Sequence, residues 1–151
     1  MTRLSLRCGD QEFRTPEELA VIARRVLAGH REERVLILGL SAHYRVTGAW
    51  LIGAPETATV SHVRVDIGAV LCALRSSSDT TQFFLAHNHP TGSSSFSYDD
   101  LTVTRELACL AAEWGIYLVD HMLVARGRVY SARRAALDID RPVPSANRPV
   151  A

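Results

Sequence analysis

Residues 87–92 read His-Asn-His-Pro-Thr-Gly, and Ser97 and Asp100 follow shortly after them. The pattern is H-x-H-P-x-G-x4-S-x2-D, which puts two imidazoles, a hydroxyl and a carboxylate within fourteen residues. Two neutral imidazoles and one carboxylate suit Zn²⁺, and they leave a fourth position for water, as in catalytic rather than structural zinc sites. The stretch predicts a zinc site with His87, His89 and Asp100 as ligands; the alternative is a polar strand end followed by a simple helix cap.

The residues around this stretch predict how the three side chains meet. Residues 82–86 are apolar and partly aromatic, which indicates a buried strand, and alternation along that strand puts His87 and His89 on one face. Pro90 ends the strand pairing because it has no N–H group. Ser97 is a helix N-cap with Asp100 three residues later, so a helix beginning there returns the carboxylate towards the histidines.

The remaining pattern indicates an α/β fold with a mixed β-sheet flanked by helices. A threonine, a proline and a glutamate mark a helix start at Thr15, and this helix is predicted to run to about residue 28. The other predicted elements are strands at 3–14, 34–40, 45–52, 58–65, 117–125 and 128–131, and helices at 66–75 and from 97 onward.

Composition indicates the structural class of the protein and its expected cellular location. The chain has 151 residues, of which 47% are hydrophobic and 22% charged, as in a globular domain with a real core. The net charge of +1 gives no support for nucleic-acid binding, and no apolar run approaches the twenty residues of a membrane span, so we expect a cytoplasmic protein. The expected parts are an N-terminal strand and helix at 1–31, a main domain at 32–137 and a disordered, proline-containing tail at 138–151.

The histidine stretch resembles the JAMM (MPN+) zinc-hydrolase motif, and residues 86–92 look most like its RadC branch. Residues 115–124 resemble a second segment of that branch, and the likeness extends over about residues 32–132. The resemblance implies a JAMM/MPN, cytidine-deaminase-like fold and Zn²⁺ on the three ligands named above. It also implies that Ser97 lies beside the bound water and donates a hydrogen bond to a developing oxyanion.

The resemblance implies hydrolysis of a peptide or isopeptide bond by a zinc-activated water, with a glutamate from an earlier strand as general base. Alignment of residues 40–51 with the strand pair of the RadC branch puts Ala49 or Trp50 where that glutamate should stand. The nearest carboxylate is Glu56, which we take as the candidate base, and Glu32 and Glu33 are further alternatives. The resemblance thus leaves catalysis less certain than metal binding.

Three functions follow from these expectations. The first is a zinc metallohydrolase, or metalloprotease, with a peptide or protein substrate. The second is a catalytically inactive scaffold that holds the metal, and the third is an interaction domain associated with DNA repair. A homodimer is left open. Asp120 and His121 are either a buried, satisfied hydrogen-bonding pair, the commoner arrangement, or groups that support the metal site.

Overall fold

The computed structural model describes residues 1–53 and 63–140. Within these ranges the chain forms six strands and three helices in the order β-α-β-β-α-β-α-β-β. The elements are β1 (Thr2–Arg3), α1 (Pro16–Leu27), β2 (Arg34–Leu40), β3 (Val46–Gly53), α2 (Ile67–Leu74), β4 (Gln82–Asn88), α3 (Tyr98–Ala112), β5 (Tyr117–Ala125) and β6 (Arg128–Ser131).

All six strands belong to one mixed sheet with the order β1-β3-β2-β4-β5-β6. The β4–β5 pair is parallel, and the other neighbouring pairs are antiparallel. Strand β4 therefore lies between β2 and β5, inside the sheet. The predicted fold class, a mixed sheet flanked by helices, is confirmed.

The alternating side chains of β4 divide the core into two layers. Phe83 and Leu85 are buried in the layer that includes residues of α2 and α3, whereas Phe84 and Ala86 are buried in the layer that includes residues of α1. By the same alternation, His87 continues the row on the α2 and α3 face. The site thus lies where this row leaves the core.

The predicted helix starts are present as predicted. Thr15 and Ser97 each form a capping box, with Glu18 and Asp100 as their respective partners, and the Asp66 side chain caps α2. Each box satisfies backbone N–H groups that a helix end otherwise leaves without partners. The position of Asp100 depends on where α3 starts, and Ser97 and Asp100 themselves determine that start.

Three differences from the predicted elements concern segment ends. The strand predicted at 3–14 is reduced to β1 and an isolated bridge between Glu12 and Arg45. Most of the strand predicted at 58–65 lies outside the described residues, and its described part, 63–65, is not in a strand. Of the predicted tail, Ile139 is buried in the core and Asp140 pairs with Arg133, while residues 141–151 lie outside the described residues.

None of the helices in residues 1–53 and 63–140 combines the length and apolar character needed to cross a bilayer.

Candidate metal centre

The structure brings together the three side chains that the sequence predicts as ligands. Nε2 of His87 lies 3.0 Å from Nε2 of His89. Oδ2 of Asp100 lies 3.2 Å from the first of these atoms and 3.3 Å from the second. His87 is almost fully buried, whereas the side chains of His89 and Asp100 remain partly open to solvent. The three atoms form one nearly regular triangle, and two of its three side chains are partly exposed.

Backbone contacts to β5 and a tight turn hold His89 in place. Its N–H donates to the carbonyl oxygen of Val124 at 3.1 Å, so the contact with β5 continues one residue past the end of β4. The N–H of Gly92 then donates to the carbonyl oxygen of His89 at 3.0 Å. The turn brings the carbonyl oxygen of Ser93 to 3.0 Å from Nδ1 of His89. A carbonyl only accepts, so Nδ1 carries the proton and a neutral ring has its lone pair on Nε2.

The capping box of α3 aims the carboxylate of Asp100. The backbone N–H of Ser97 donates to Oδ2 of Asp100 at 2.7 Å, and the Ser97 hydroxyl accepts the N–H of Asp100 at 3.0 Å. Burial alone would raise the pKa of Asp100, but the hydrogen bond and charge of a protonated His87, together with the hydrogen bonds of Ser97, hold that pKa below its usual range. The carboxylate is therefore ionised, and one of its oxygens serves both the helix cap and the triangle.

A series of hydrogen bonds behind His87 determines which nitrogen of its neutral ring carries the proton. The Thr104 hydroxyl donates to the carbonyl oxygen of Asp100 at 2.5 Å, so it accepts from Nδ1 of His121, 2.6 Å away. Burial lowers the pKa of His121 well below its usual value, and protonation of His87 would lower it further, so the His121 ring is neutral with a lone pair on Nε2. That nitrogen accepts the Nδ1–H of His87 at 2.8 Å, so a neutral His87 ring has its lone pair on Nε2.

The donor set fits Zn²⁺. The ligand atoms of two imidazoles and a carboxylate face one another across 3.0, 3.2 and 3.3 Å, and such a group of electron-rich atoms favours a bound cation. Tetrahedral zinc with bonds of about 2.0–2.1 Å keeps its ligand atoms about 3.3 Å apart. The triangle has this size before any rearrangement, so the three side chains could hold the ion as they stand.

A fourth side chain, the acidic Glu33, joins the cluster. One potential ligand atom from each of Glu33, His87, His89 and Asp100 lies within 4.8 Å of every other. Glu33 directly precedes β2 and is buried, with 8% of its surface exposed. Strand β2 runs antiparallel to β4 with Val35 opposite His87, so continuing this register by two residues brings Glu33 opposite His89.

This position favours Glu33 among the carboxylates that the sequence offered as a general base, where Glu56 came first and Glu32 and Glu33 were further alternatives. The alignment that pointed to Ala49 or Trp50 selected β3, which pairs with β2 on the side away from β4. One whole strand separates those residues from the histidines, and both are buried in the core. Glu56, the candidate base predicted from sequence, lies outside the described residues, so its role stays a prediction.

A cleft of about 590 Å³ opens beside the cluster, and Glu33, His87, Ser97 and Asp100 line part of it. The Ser97 hydroxyl accepts the N–H of Asp100 and so keeps its own proton for a hydrogen bond into this cleft. Arg64 and Asp99 add one charge of each sign to the lining. The other walls are mostly apolar, formed by Val35, Val63, Val65, Leu85, Val103 and Leu107.

Sequence reasoning missed two supporting residues and left a third open. Thr104 was not singled out, although it lies one helical turn after Asp100 and its hydroxyl can therefore reach the Asp100 carbonyl. Asn88 was treated only as the variable residue between the histidines. His121 supports the ring of His87, whereas the Asp120 carboxylate accepts the backbone N–H groups of His121 and Arg133.

Comparison with known proteins places the cluster inside a matched domain. The family model described as RadC-like JAB domain matches residues 13–137. A UPF0758 protein of Acaryochloris marina is 30% identical over 129 residues, covering 79% of this chain and 51% of that protein. One of Clostridium kluyveri is 25% identical over 130 residues, covering 85% and 54%, respectively. One of Ralstonia pickettii is 48% identical over 46 residues, covering 30% and 20%.

The chain thus spans about half the length of the relatives that it matches over most of its own length. The family match covers the candidate metal cluster, the strands β4 and β5 that carry His87 and His121, and the helix that carries Asp100. The chain therefore belongs to the RadC-like JAB domain family.

Proposed function

We propose that this domain is a zinc-dependent hydrolase of peptide or isopeptide bonds, with Glu33 as its general base. The observation that carries the proposal is the convergence of Glu33 on the triangle of His87, His89 and Asp100. A carboxylate in that position supplies the proton-transfer group that the alignment with β3 left out.

His87, His89 and Asp100 would hold Zn²⁺, which when bound supplies Lewis acidity that acidifies water and polarises a carbonyl oxygen. Glu33 takes the proton from the attacking water and delivers it to the leaving amine, so a single carboxylate serves as base and then as acid. The hydroxyl of Ser97 donates a hydrogen bond to the developing oxyanion. The apolar cleft next to Ser97 receives the substrate chain and keeps solvent away from the reacting bond.

The inactive scaffold remains the competing function, since metal binding alone needs only the triangle. Glu33 separates the two proposals because only the hydrolase needs its carboxylate to accept a proton. The interaction domain associated with DNA repair receives no support from the net charge of +1.

The test begins with the zinc content of the purified chain, measured by elemental analysis. Zinc-loaded protein is then incubated with a library of quenched fluorogenic peptides and with peptides that carry an isopeptide-linked lysine. We expect cleavage that a chelator abolishes and added zinc restores. Glu33→Gln, which keeps the side-chain shape, should bind zinc about tenfold more weakly, and at saturating zinc it should lose a factor on the order of 10²–10⁴ in rate.

His43→Ala is the matched control, because this exposed histidine lies in the turn between β2 and β3 and should change neither zinc content nor rate. Zinc binding without cleavage of any probe would favour the scaffold. Protein that folds but binds no zinc would overturn both metal functions, and equal cleavage by Glu33→Gln would remove Glu33 from the mechanism.

A further inference from the structure

We propose that Asn88 is a positioning residue that holds Glu33 against the metal cluster. Asn88 stands between His87 and His89, but its side chain is directed at the backbone ahead of β2. Its Oδ1 accepts the N–H of Arg34 at 2.7 Å, and its Nδ2 donates to the carbonyl oxygen of Glu32 at 3.0 Å. One amide thus grips the backbone on both sides of Glu33.

The hydrogen bonds of the Asn88 side chain begin where the regular backbone pairing between β2 and β4 ends. The paired residues run from Leu40 and Gln82 to Val35 and His87, and the next position would pair Arg34 with Asn88. There the side-chain amide of Asn88 takes over the donor and acceptor roles that a strand backbone would otherwise supply. A third contact, from Nδ2 to the carbonyl oxygen of His30 at 3.5 Å, extends the clamp to the end of the turn after α1.

Burial makes this amide difficult to replace. Asn88 is only 4% exposed, and a buried amide contributes most when its donor and acceptor both have partners. Without it, the N–H of Arg34 and the carbonyl of Glu32 lose the partner that the structure gives them. The segment that carries Glu33 would then move relative to β4, while His87 and His89 would keep their own supports in β5 and in the Ser93 turn.

The inference rests on the proposed function for its meaning, but zinc affinity tests it without a substrate. Zn²⁺ dissociation constants are measured by competition with a chromophoric chelator for the original chain, Asn88→Ala, Glu33→Gln and the double variant. Loss of a group that supports a metal site typically weakens binding by about 10–100-fold. We expect Glu33→Gln to weaken zinc about tenfold and Asn88→Ala to weaken it several-fold. In the Glu33→Gln background, Asn88→Ala should have less than about a twofold further effect.

Gln82→Ala is the matched control. Gln82 lies at the opposite end of β4, and its side chain also bonds a backbone group of the neighbouring segment, the carbonyl oxygen of Ser41 at 3.1 Å. This variant should leave zinc affinity unchanged. An equal effect of Asn88→Ala in both backgrounds, or no effect in either, would overturn the proposal, because Asn88 would then not act through Glu33.

Hydrogen exchange in the zinc-free protein provides a second measurement. Asn88→Ala should speed exchange of the Arg34 amide at least about tenfold and leave the amide of Leu38, deeper in β2, unchanged. Unchanged exchange at Arg34 would overturn the clamp. If the original chain bound no zinc but Asn88→Ala still sped exchange of the Arg34 amide, the result would contradict the proposed function. It would still support the role of Asn88 in holding the segment around Glu33.

Discussion

Nδ1 of His87 lies 2.8 Å from Nε2 of His121, so the first predicted zinc ligand is held by a ring from the neighbouring strand. The contact crosses the parallel β4–β5 pair, in which Leu85 lies opposite His121. Thr104 on α3 supports the other side of the same ring at 2.6 Å. Three elements thus determine which nitrogen of His87 faces the cluster.

The hydroxyl of Thr104 should matter for zinc binding because it accepts the Nδ1–H of His121. Thr104→Val keeps the shape of the buried side chain but leaves that N–H without a partner, so the favoured tautomers of His121 and His87 are no longer fixed. We expect zinc affinity to fall about tenfold in a chelator competition assay. Thr104→Ser keeps the hydroxyl and should stay close to the original affinity. Equal losses in the two variants would show that packing, not the hydrogen bond, matters at this position.

The two capping boxes should differ in what they support. Ser97→Ala and Thr15→Ala each remove a side-chain acceptor at a helix start, and each should lower the free energy of unfolding by about 1 kcal/mol in urea denaturation. Only Ser97→Ala should also weaken zinc, because Ser97 fixes the turn from which Asp100 reaches the histidines. A matching loss of zinc affinity in Thr15→Ala would mean that global stability, rather than the aim of Asp100, explains the effect.

Gly92 should tolerate a side chain less well than Gly115. Both have positive φ, +82° and +72° respectively, so alanine at either costs about 1–2 kcal/mol in backbone strain. A Cβ at Gly92 would also lie 2.6 Å from Nε of Arg126, whereas a Cβ at Gly115 meets nothing within 4 Å. Gly92→Ala should therefore lose more stability in thermal unfolding and should also weaken zinc by shifting the turn after His89.

Adding Arg126→Ala to Gly92→Ala separates the two contributions. The double variant should recover the excess loss but keep the strain from φ. If Gly92→Ala and Gly115→Ala were equally destabilised, Arg126 would simply swing aside and the close approach would have no cost.

Local sequence signals predicted most of this fold. The boxes at Thr15 and Ser97, the apolar run before His87 and the strand pair near the C-terminus depend on interactions within a few residues, and all are present. The three predicted ligands meet because strand alternation and one helix start suffice to bring them together. These features can be read without knowing which strands are neighbours.

The rest of the site depends on strand order, which local patterns do not encode. Sequence reasoning paired β2 with β3 as a hairpin and looked for the glutamate there, but β2 also pairs with β4, and 41 residues lie between the paired Leu40 and Gln82. Only that second pairing brings Glu33 and Asn88 together. Thr104 and His121 likewise meet only through the packing of α3 on β5. Residues that support a site from neighbouring elements therefore cannot be identified from the local patterns of a single sequence.

Ile139 should be part of the folded core, although the sequence assigned it to a disordered tail. Its side chain is 1% exposed, and Ile139→Ala should lower the free energy of unfolding by about 2–4 kcal/mol in urea denaturation, since the cavity adds to the lost burial. Val21→Ala is the control, because Val21 is 47% exposed on α1 and should change stability by less than about 0.5 kcal/mol. A cost for Ile139→Ala as small as that for Val21→Ala would contradict the docking of this segment. A large cost would place the end of the folded domain beyond residue 137, because an unfolded tail has no packing to lose.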